Sequence, residues 1–215
     1  DDAVTLALTY ADIKYDVIFD DEVINNKIND YDWLHLHHED FTGQYGKFYR
    51  SYRNQIWYKK MESDFNQTAK KHGFDSVHNL KKFIALKIKQ YVLDGGFLFA
   101  MCSGTDSFDI ALAAHSVDIV EMAFDGTPVD PSYKSKMNFS NGIAFENYSI
   151  ITNPMIYEFS DIDYPSNKNP HLKTAEQDYF TLFEFSAKWD PIPTMLTQDH
   201  VGIINGFMGQ TTGFN

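Results

Sequence analysis

The stretch from Gly95 to Ala114, GGFLFAMCSGTDSFDIALAA, decides which fold the sequence predicts. Within it, Phe97–Met101 is a short, continuous apolar run entered through two glycines. This pattern is typical of a strand buried on both faces of a parallel sheet. The apolar residues that follow Phe108 predict a helix packed back onto that sheet. Because only a few polar residues separate the two elements, we expect a tight strand-to-helix corner.

Cys102 lies in this corner and is the only cysteine of the chain. Such a corner lifts its first side chain above the carboxyl end of the sheet and points helix N-terminal amides at it. Those amides favour the thiolate, which is the nucleophilic form of cysteine. The functional interpretation is a nucleophile elbow, with the amides of Ser103 and Gly104 as oxyanion donors. The alternative is a small buried cysteine that ends a core strand.

A second polar cluster, His38, Glu39 and Asp40, follows the strand predicted from Tyr31 to His37. Ligand and catalytic groups collect at the carboxyl ends of parallel strands, so this cluster faces Cys102 if the two strands are neighbours. His38 or Glu39 would then assist the thiol as a base or anchor the substrate. The predicted substrate contacts are Asp40 in this cluster and Thr105 and Asp106 in the corner.

The histidines also allow other interpretations. His35 and His37 share one side of their strand, and with a carboxylate they would chelate a divalent metal. They are equally compatible with histidines hydrogen-bonded beneath a covering helix. His78 is expected in water at a helix junction, and His200 is the one candidate base downstream of the corner. We predict no metal site.

The composition limits the classes of partner. The chain of 215 residues has a net charge of -12, 43% hydrophobic residues and 22% charged residues, as expected of a globular domain. An acidic surface disfavours nucleic acid and anionic membranes as partners. No apolar run approaches the roughly 18 residues of a membrane-spanning helix, so no transmembrane segment is predicted. The start at Asp1 leads us to expect a piece of a longer protein.

Along the first half of the chain, predicted helices and strands alternate, as in an α/β domain with crossover connections. In order, the pattern predicts a helix to Tyr10, a strand from Tyr15 to Phe19, a short helix or turn from Glu22 to Ile28, a strand from Tyr31 to His37, and helices from Phe48 to Lys71 and from Ser76 to Gly95. The last helix is amphipathic, and we expect Lys81, Lys82 and Lys89 on its solvent face.

Beyond Ala114 the pattern loosens. Short strands are predicted from Val117 to Val120, Ile143 to Phe145, Met155 to Phe159 and Tyr179 to Phe185, with a loose excursion from Ile162 to Glu176 and an apolar tail from Val201 to Met208. We expect a single domain over residues 1–215, with a core at 1–115 and a looser α+β extension at 116–215.

The corner resembles a known motif. Ala100-Met101-Cys102-Ser103-Gly104 is similar to the Gly-x-Cys-x-Gly elbow of class I glutamine amidotransferase-like domains. The resemblance implies an α/β three-layer, flavodoxin-like sandwich with a mostly parallel sheet, and a Cys-His-Glu hydrolase of the side-chain amide of glutamine. It also implies a small-molecule amide substrate and no cofactor. Ala100 replaces the first glycine and no His-x-Glu pair follows the elbow, so the alternative is a catalytically inactive domain of an exported protein that binds a ligand or a protein partner.

A second resemblance concerns the same residues. Cys102 to Ser107 is similar to the Ser-Gly-Gly-x-Asp-Ser pyrophosphatase loop of asparagine synthetases, which implies binding of ATP and Mg²⁺ there. The whole chain, especially DYDWLHLHHEDFTGQYGKFY at 30–49, also resembles Bacteroidetes proteins that are automatically labelled asparagine synthetase of the B type. That resemblance implies a longer, exported or periplasmic parent protein.

Overall fold

The structure is a computed structural model that describes residues 3–162, 179–181 and 203–205. The chain divides into two compact units, one made of residues 1–17 and 166–211 and the other of residues 18–165 and 212–215. The helices are α1 (Ala3–Tyr10), α2 (Asp20–Ile24), α3 (Tyr49–Tyr52), α4 (Ile56–Lys71), α5 (Val77–Leu93), α6 (Ser103–Ala113), α7 (Met122–Asp125) and α8 (Tyr133–Lys136). The strands are β1 (Trp33–Leu36), β2 (Phe97–Ala100), β3 (Tyr179–Thr181) and β4 (Ile203–Asn205).

The larger unit is built on a parallel pair of strands. β1 pairs with β2 in a register that sets Trp33 opposite Phe97 and Leu36 opposite Ala100. The two strands are therefore neighbours, which is the condition under which the His38–Asp40 cluster was expected to face Cys102. Three helices, α3, α4 and α5, lie between them in the chain, as a crossover between parallel strands requires. In the part of the chain that is described, the unit is a mixed α/β structure with a small two-stranded parallel sheet.

Only one face of this sheet is buried. Leu34 and Leu36 belong to the hydrophobic core, whereas Phe97 and Phe99 of β2 are 60% and 46% exposed. The prediction of a strand buried on both faces is therefore wrong for β2. The apolar run alone could not reveal this, because an apolar side chain does not encode whether a neighbouring element covers it.

The core lies mainly between α5, α6 and the inner sheet face. Ser76 caps α5 by accepting a hydrogen bond from the amide of Asn79 at 3.2 Å, so the predicted start of this helix is confirmed. Its lysines depart from the prediction: Lys81 and Lys82 are both buried. Lys81 pairs with Asp20 at 2.7 Å, and Lys82 donates to the carbonyl of Val117 at 3.3 Å. Because both ammonium groups have partners outside α5, these two lysines are buried although the amphipathic pattern predicts that they face solvent.

Several predicted strands are absent. Residues 15–19, 117–120, 143–145 and 155–159 form no ladder, and an isolated bridge between Ile150 and Ser160 lies just outside these ranges. In two of these ranges, 117–120 and 143–145, side-chain carboxylates accept hydrogen bonds from backbone amides that a ladder would use. Asp118 accepts from the amide of Val120 at 2.9 Å, and Asp109 accepts from the amides of residues 143–145. The helix predicted over residues 48–71 is interrupted at residues 53–55, between α3 and α4.

The smaller unit contains α1 and an antiparallel pair. β3 pairs with β4, with Phe180 opposite Ile204. These strands fall within the stretches predicted at residues 179–185 and 201–208. The remaining residues of both stretches, and the excursion predicted at 162–176 beyond residue 162, lie outside the described residues, as do His171 and His200. Among the helices that are described, none is both long and apolar enough to cross a bilayer.

Candidate functional site

The corner after β2 is a tight turn with Cys102 in an unusual backbone conformation. Cys102 has φ 50° and ψ -136°, and the amide of Gly104 donates to the carbonyl of Met101 at 3.0 Å. These are the features of a type II′ turn, whose first central position normally holds glycine. The Cys102 side chain is exposed rather than buried. The interpretation of a small cysteine buried at the end of a core strand is therefore wrong.

The amides at the start of α6 differ in what they can still bind. The amide of Gly104 is used by the turn, and the amide and hydroxyl of Thr105 both donate to the carbonyl of Cys102, at 3.0 and 2.6 Å. The amide of Ser103 has no acceptor among the described residues. Of the two predicted oxyanion donors, Ser103 is thus the one whose N–H is open to a ligand.

The loop after β1 lies against the first turns of α6, as expected for neighbouring strands. A Cβ built on Gly104 would be 3.4 Å from the Glu39 carboxylate and 3.3 Å from Leu36. The hydroxyl oxygen of Ser107 accepts from the amide of Phe41 at 3.3 Å and lies 3.1 Å from the carbonyl of Glu39, while its single proton has a closer acceptor in the carbonyl of Ser103. The parallel pairing therefore brings the Glu39 segment and the Cys102 corner together, and the absence of a side chain at Gly104 lets them approach.

The histidines of this loop stack on one another. The rings of His37 and His38 are 3.9 Å apart between centroids, and the ring of His35 stacks on Phe99 at 5.3 Å. In the described part of the chain, no group of three potential ligands is placed to hold a metal ion. Within the same residues, no side chain hydrogen-bonds to the sulfur of Cys102.

The carboxylate of Asp40 organises its own loop. One oxygen accepts hydrogen bonds from the amide and the hydroxyl of Thr42, at 2.7 and 2.6 Å, and the other accepts from the amide of Gly46 at 2.9 Å. Gly46 has φ 70°, a conformation that glycine adopts without strain. Asp40 thus shapes the loop that carries His38 and Glu39.

Asp106 is buried below the corner. One carboxylate oxygen accepts from the amide of Ser107 at 2.8 Å, and the other accepts from the hydroxyl of Ser160 at 3.4 Å. Asp106 is 1% exposed. The side chain predicted to contact substrate therefore joins α6 to the segment around residue 160, and it lies beneath the surface that carries Cys102.

Asp109, which was not predicted as a functional or structural residue, anchors α6 to another segment of the chain. Asp109 is fully buried and accepts hydrogen bonds from the amides of Ile143, Ala144 and Phe145, at 2.8, 2.8 and 2.6 Å. The available signal was a second aspartate, three positions after Asp106, within the apolar part of α6 that begins at Phe108. A charged group in such a place is buried only when it has partners.

Lys47 is a second residue that was missed. Its side chain is 2% exposed, and its ammonium donates to the carbonyls of Ile151 at 2.7 Å and Asn153 at 3.3 Å. Burial lowers the pKa of Lys47 to about 8, although the nearby carboxylates of Asp40 and Asp106 favour the charged form. Lys47 therefore links the Asp40 loop to the segment at residues 151–153.

This lowered pKa predicts a pH-dependent stability. Between the unfolded pKa of 10.5 and the folded pKa of about 8, the unfolded chain binds a proton at Lys47 that the folded chain does not. Raising the pH through this window should therefore stabilise the fold, by about 2 kcal/mol between pH 8 and pH 10. We expect Lys47→Met to reduce this rise in urea denaturation, leaving the part that the lowered pKa of the buried Lys82 contributes, and the exposed control Lys60→Met to keep it in full. An unchanged rise in Lys47→Met would contradict the assignment.

His78 departs from its prediction as a solvated residue. It is buried, its Nδ1 lies 2.6 Å from the carbonyl of Thr42, and burial lowers the pKa of its imidazole. A neutral imidazole has one N–H, which the short contact assigns to Nδ1. His78 thus ties the loop after β1 to the first turn of α5.

The sequence and the fold were also compared with known proteins. No family model, no curated protein and no solved structure matches the chain.

Proposed function

We propose that this protein is a thiol-dependent amide hydrolase or amidotransferase-like enzyme with Cys102 as the nucleophile. One observation carries the proposal: the only cysteine is exposed at a strand-to-helix corner, in a backbone conformation that favours glycine. Holding a residue other than glycine there costs about 1–3 kcal/mol. An exposed side chain makes little packing that offsets this cost, so a use for the sulfur is the better explanation.

In the proposed reaction, the thiolate of Cys102 attacks the carbonyl carbon of an amide. The amide N–H of Ser103 supports the oxyanion of the tetrahedral intermediate. The C–N bond then breaks, ammonia leaves with a proton from a general acid, and a thioester on Cys102 remains. Water or an amine acceptor cleaves the thioester and restores the thiol. His38 and Glu39 are exposed beside the corner and serve as candidates to assist the thiol or anchor the substrate.

We extend the proposal to the fold. In a flavodoxin-like, three-layer sandwich, β1 and β2 would be two strands of a larger and mostly parallel sheet. Two observations support this: the strands are parallel, and the chain between them is helical. The exposed face of β2 supports it as well, because parallel sheets are normally covered on both faces.

Alkylation of the single cysteine tests the proposed nucleophile. We expect iodoacetamide to modify folded protein at pH 7 at least about tenfold faster than the same chain unfolded in urea, because only the folded corner holds the exposed sulfur next to the open amide of Ser103. Ammonia release from glutamine and asparagine should be lost in Cys102→Ser. The mass of the intact chain identifies the site. A cysteine that stays unreactive below about pH 9 would remove the hypothesis.

The strain at the corner gives a separate test, on stability. Alanine is normally more stabilising than glycine in an ordered segment, but the left-handed backbone of Cys102 reverses this preference. We expect Cys102→Gly to be about 1 kcal/mol more stable than Cys102→Ala. Urea denaturation of the two variants measures the difference. Equal stabilities would mean that the corner is not strained.

A second candidate function is a non-catalytic domain that keeps the corner for binding. The observation that favours it is the lack, among the described residues, of any side chain bonded to the Cys102 sulfur. It predicts slow alkylation in the folded state and a Cys102→Ala variant that keeps its cellular function.

The ATP-binding alternative is less well supported. It requires Asp106 or its neighbours to reach phosphate-bound Mg²⁺, yet Asp106 is buried and bonded to Ser107 and Ser160. Calorimetric titration with Mg-ATP distinguishes this alternative, since it alone predicts heat of binding.

A further inference from the structure

A cluster of apolar side chains protrudes where α3 meets α4. We name it the aromatic-basic corner and define it by Phe48, Tyr52, Ile56, Trp57 and Tyr157 with the cations Arg50, Arg53 and Lys59. Ile56, the first residue of α4, is 87% exposed, and Tyr52, Trp57 and Tyr157 are between 42% and 57% exposed. Exposed apolar side chains that adjoin one another mark an interaction surface more often than single ones do.

The aromatic rings form one packed group. The ring of Phe48 lies 5.9 Å from that of Tyr52, 6.0 Å from Trp57 and 6.1 Å from Tyr157, and Tyr52 and Trp57 are 5.1 Å apart. The rings therefore use one another as partners and do not form an open platform for stacked bases. Ile56 adds an aliphatic side chain at the surface of this group.

The chain segment that carries Tyr52, Ile56 and Trp57 has a charge opposite to that of the whole chain, whereas the acidic Glu158 follows Tyr157. Residues 49–60 contain Arg50, Arg53, Lys59 and Lys60 and no acidic residue, in a chain with a net charge of -12. Lys60 pairs with Asp64 at 2.5 Å. Arg53 lies over the ring of Tyr49 at 5.4 Å and donates to the carbonyl of Arg50 at 2.6 Å. The exposed rings are thus bordered by cations.

From these observations we propose that the aromatic-basic corner docks the protein onto an anionic lipid bilayer surface. Ile56 and Trp57 enter the interfacial region, where aliphatic and indole side chains partition favourably. Arg50, Arg53 and Lys59 remain at the level of the lipid phosphates. The inference is independent of the proposed amide chemistry, because none of these residues belongs to the Cys102 corner.

The acidic character of the whole chain does not oppose this docking at physiological ionic strength. The Debye length there is about 8 Å, so only charges near the bilayer interact with it strongly. At low salt the screening length reaches about 30 Å, and the acidic remainder of the chain then repels the lipid. Binding should therefore be stronger at about 0.15 M salt than at about 0.01 M, and it should weaken again at about 1 M.

Sedimentation with vesicles tests the proposal. We expect the intact chain to bind phosphatidylcholine vesicles that contain phosphatidylglycerol and to stay in solution with phosphatidylcholine alone. The double variant Ile56→Ser, Trp57→Ser and the double variant Arg50→Glu, Lys59→Glu should each bind at least about tenfold more weakly. All the substituted side chains are exposed, so folding is checked by an unchanged denaturation midpoint.

Matched control variants test whether vesicle binding depends on this corner or on any exposed ring and any positive charge of the protein. Phe97→Ser removes an equally exposed ring elsewhere, and Lys70→Glu with Lys134→Glu makes the same charge change on other exposed helical positions. Both controls should bind like the unmodified chain. The proposal is overturned if anionic vesicles do not bind, as they would not if the corner serves a protein partner, or if the controls lose binding as much as the corner variants.

Discussion

Replacing Gly43 by alanine is expected to lower the free energy of unfolding by about 3 kcal/mol or more. Gly43 has φ 80°, and a Cβ added there would lie 2.7 Å from both the backbone nitrogen and the Cα of His78. Side-chain rotation cannot relieve a clash with backbone. The loop after β1 or the start of α5 must then move, and this loop carries His38 and Glu39. Urea denaturation measures the loss.

Gly73→Ala is the matched control for this prediction. Gly73 has φ 78°, but a Cβ there would meet nothing within 4 Å. The two glycines share nearly the same backbone strain, so Gly73→Ala should cost only about 1 kcal/mol, and the difference measures the close approach. Equal losses in the two variants would show that the loop does not pack on α5 as described.

Replacing Asp109 by alanine is expected to cost about 4 kcal/mol. The change removes a buried carboxylate and leaves the amides of Ile143, Ala144 and Phe145 without their acceptor. Asp109→Asn should lose roughly half as much, because one acceptor oxygen remains while the amide NH₂ faces backbone donors. Thermal or urea denaturation of the purified variants gives these values.

The control for Asp109 is an exposed carboxylate with a similar kind of bond. Asp125 accepts from the amide and hydroxyl of Thr127, both at 2.9 Å, at an exposed site. Water can replace Asp125 there, so Asp125→Ala should cost less than about 1 kcal/mol. A loss at Asp109 as small as that at Asp125 would contradict its role as the anchor of the 143–145 segment.

Both predictions bear on whether buried contacts of α6 and of the loop after β1 hold Cys102 in place. Cys102 depends on α6 for its position. Ser107 fixes α6 to the loop after β1, Asp106 fixes it to Ser160, and Asp109 fixes it to residues 143–145. If the Asp109→Asn variant is folded at neutral pH and iodoacetamide still modifies its Cys102 quickly, then the corner itself supplies the reactivity. If alkylation slows while the fold persists, the buried anchors position the sulfur.

Local patterns in the sequence determined the central elements. The apolar run before Cys102 predicted β2, the short polar turn predicted the corner, and the serine at 76 predicted the start of α5. These features depend on neighbours along the chain, such as a cap, a run of apolar residues or a turn with no room for a loop. The sequence left open whether the two strands are neighbours, and the register of β1 and β2 shows that they are.

Only the tertiary structure decided how the polar residues are used. Asp109 and Lys47 are buried because backbone groups distant in sequence supply partners. Lys81 and Lys82 are buried on α5 because the carboxylate of Asp20 and the carbonyl of Val117 bind their ammonium groups. The exposed face of β2 likewise depends on what other elements cover it. Residue type and spacing determine local conformation, whereas the burial of a charge depends on partners that only the folded chain brings within hydrogen-bond distance.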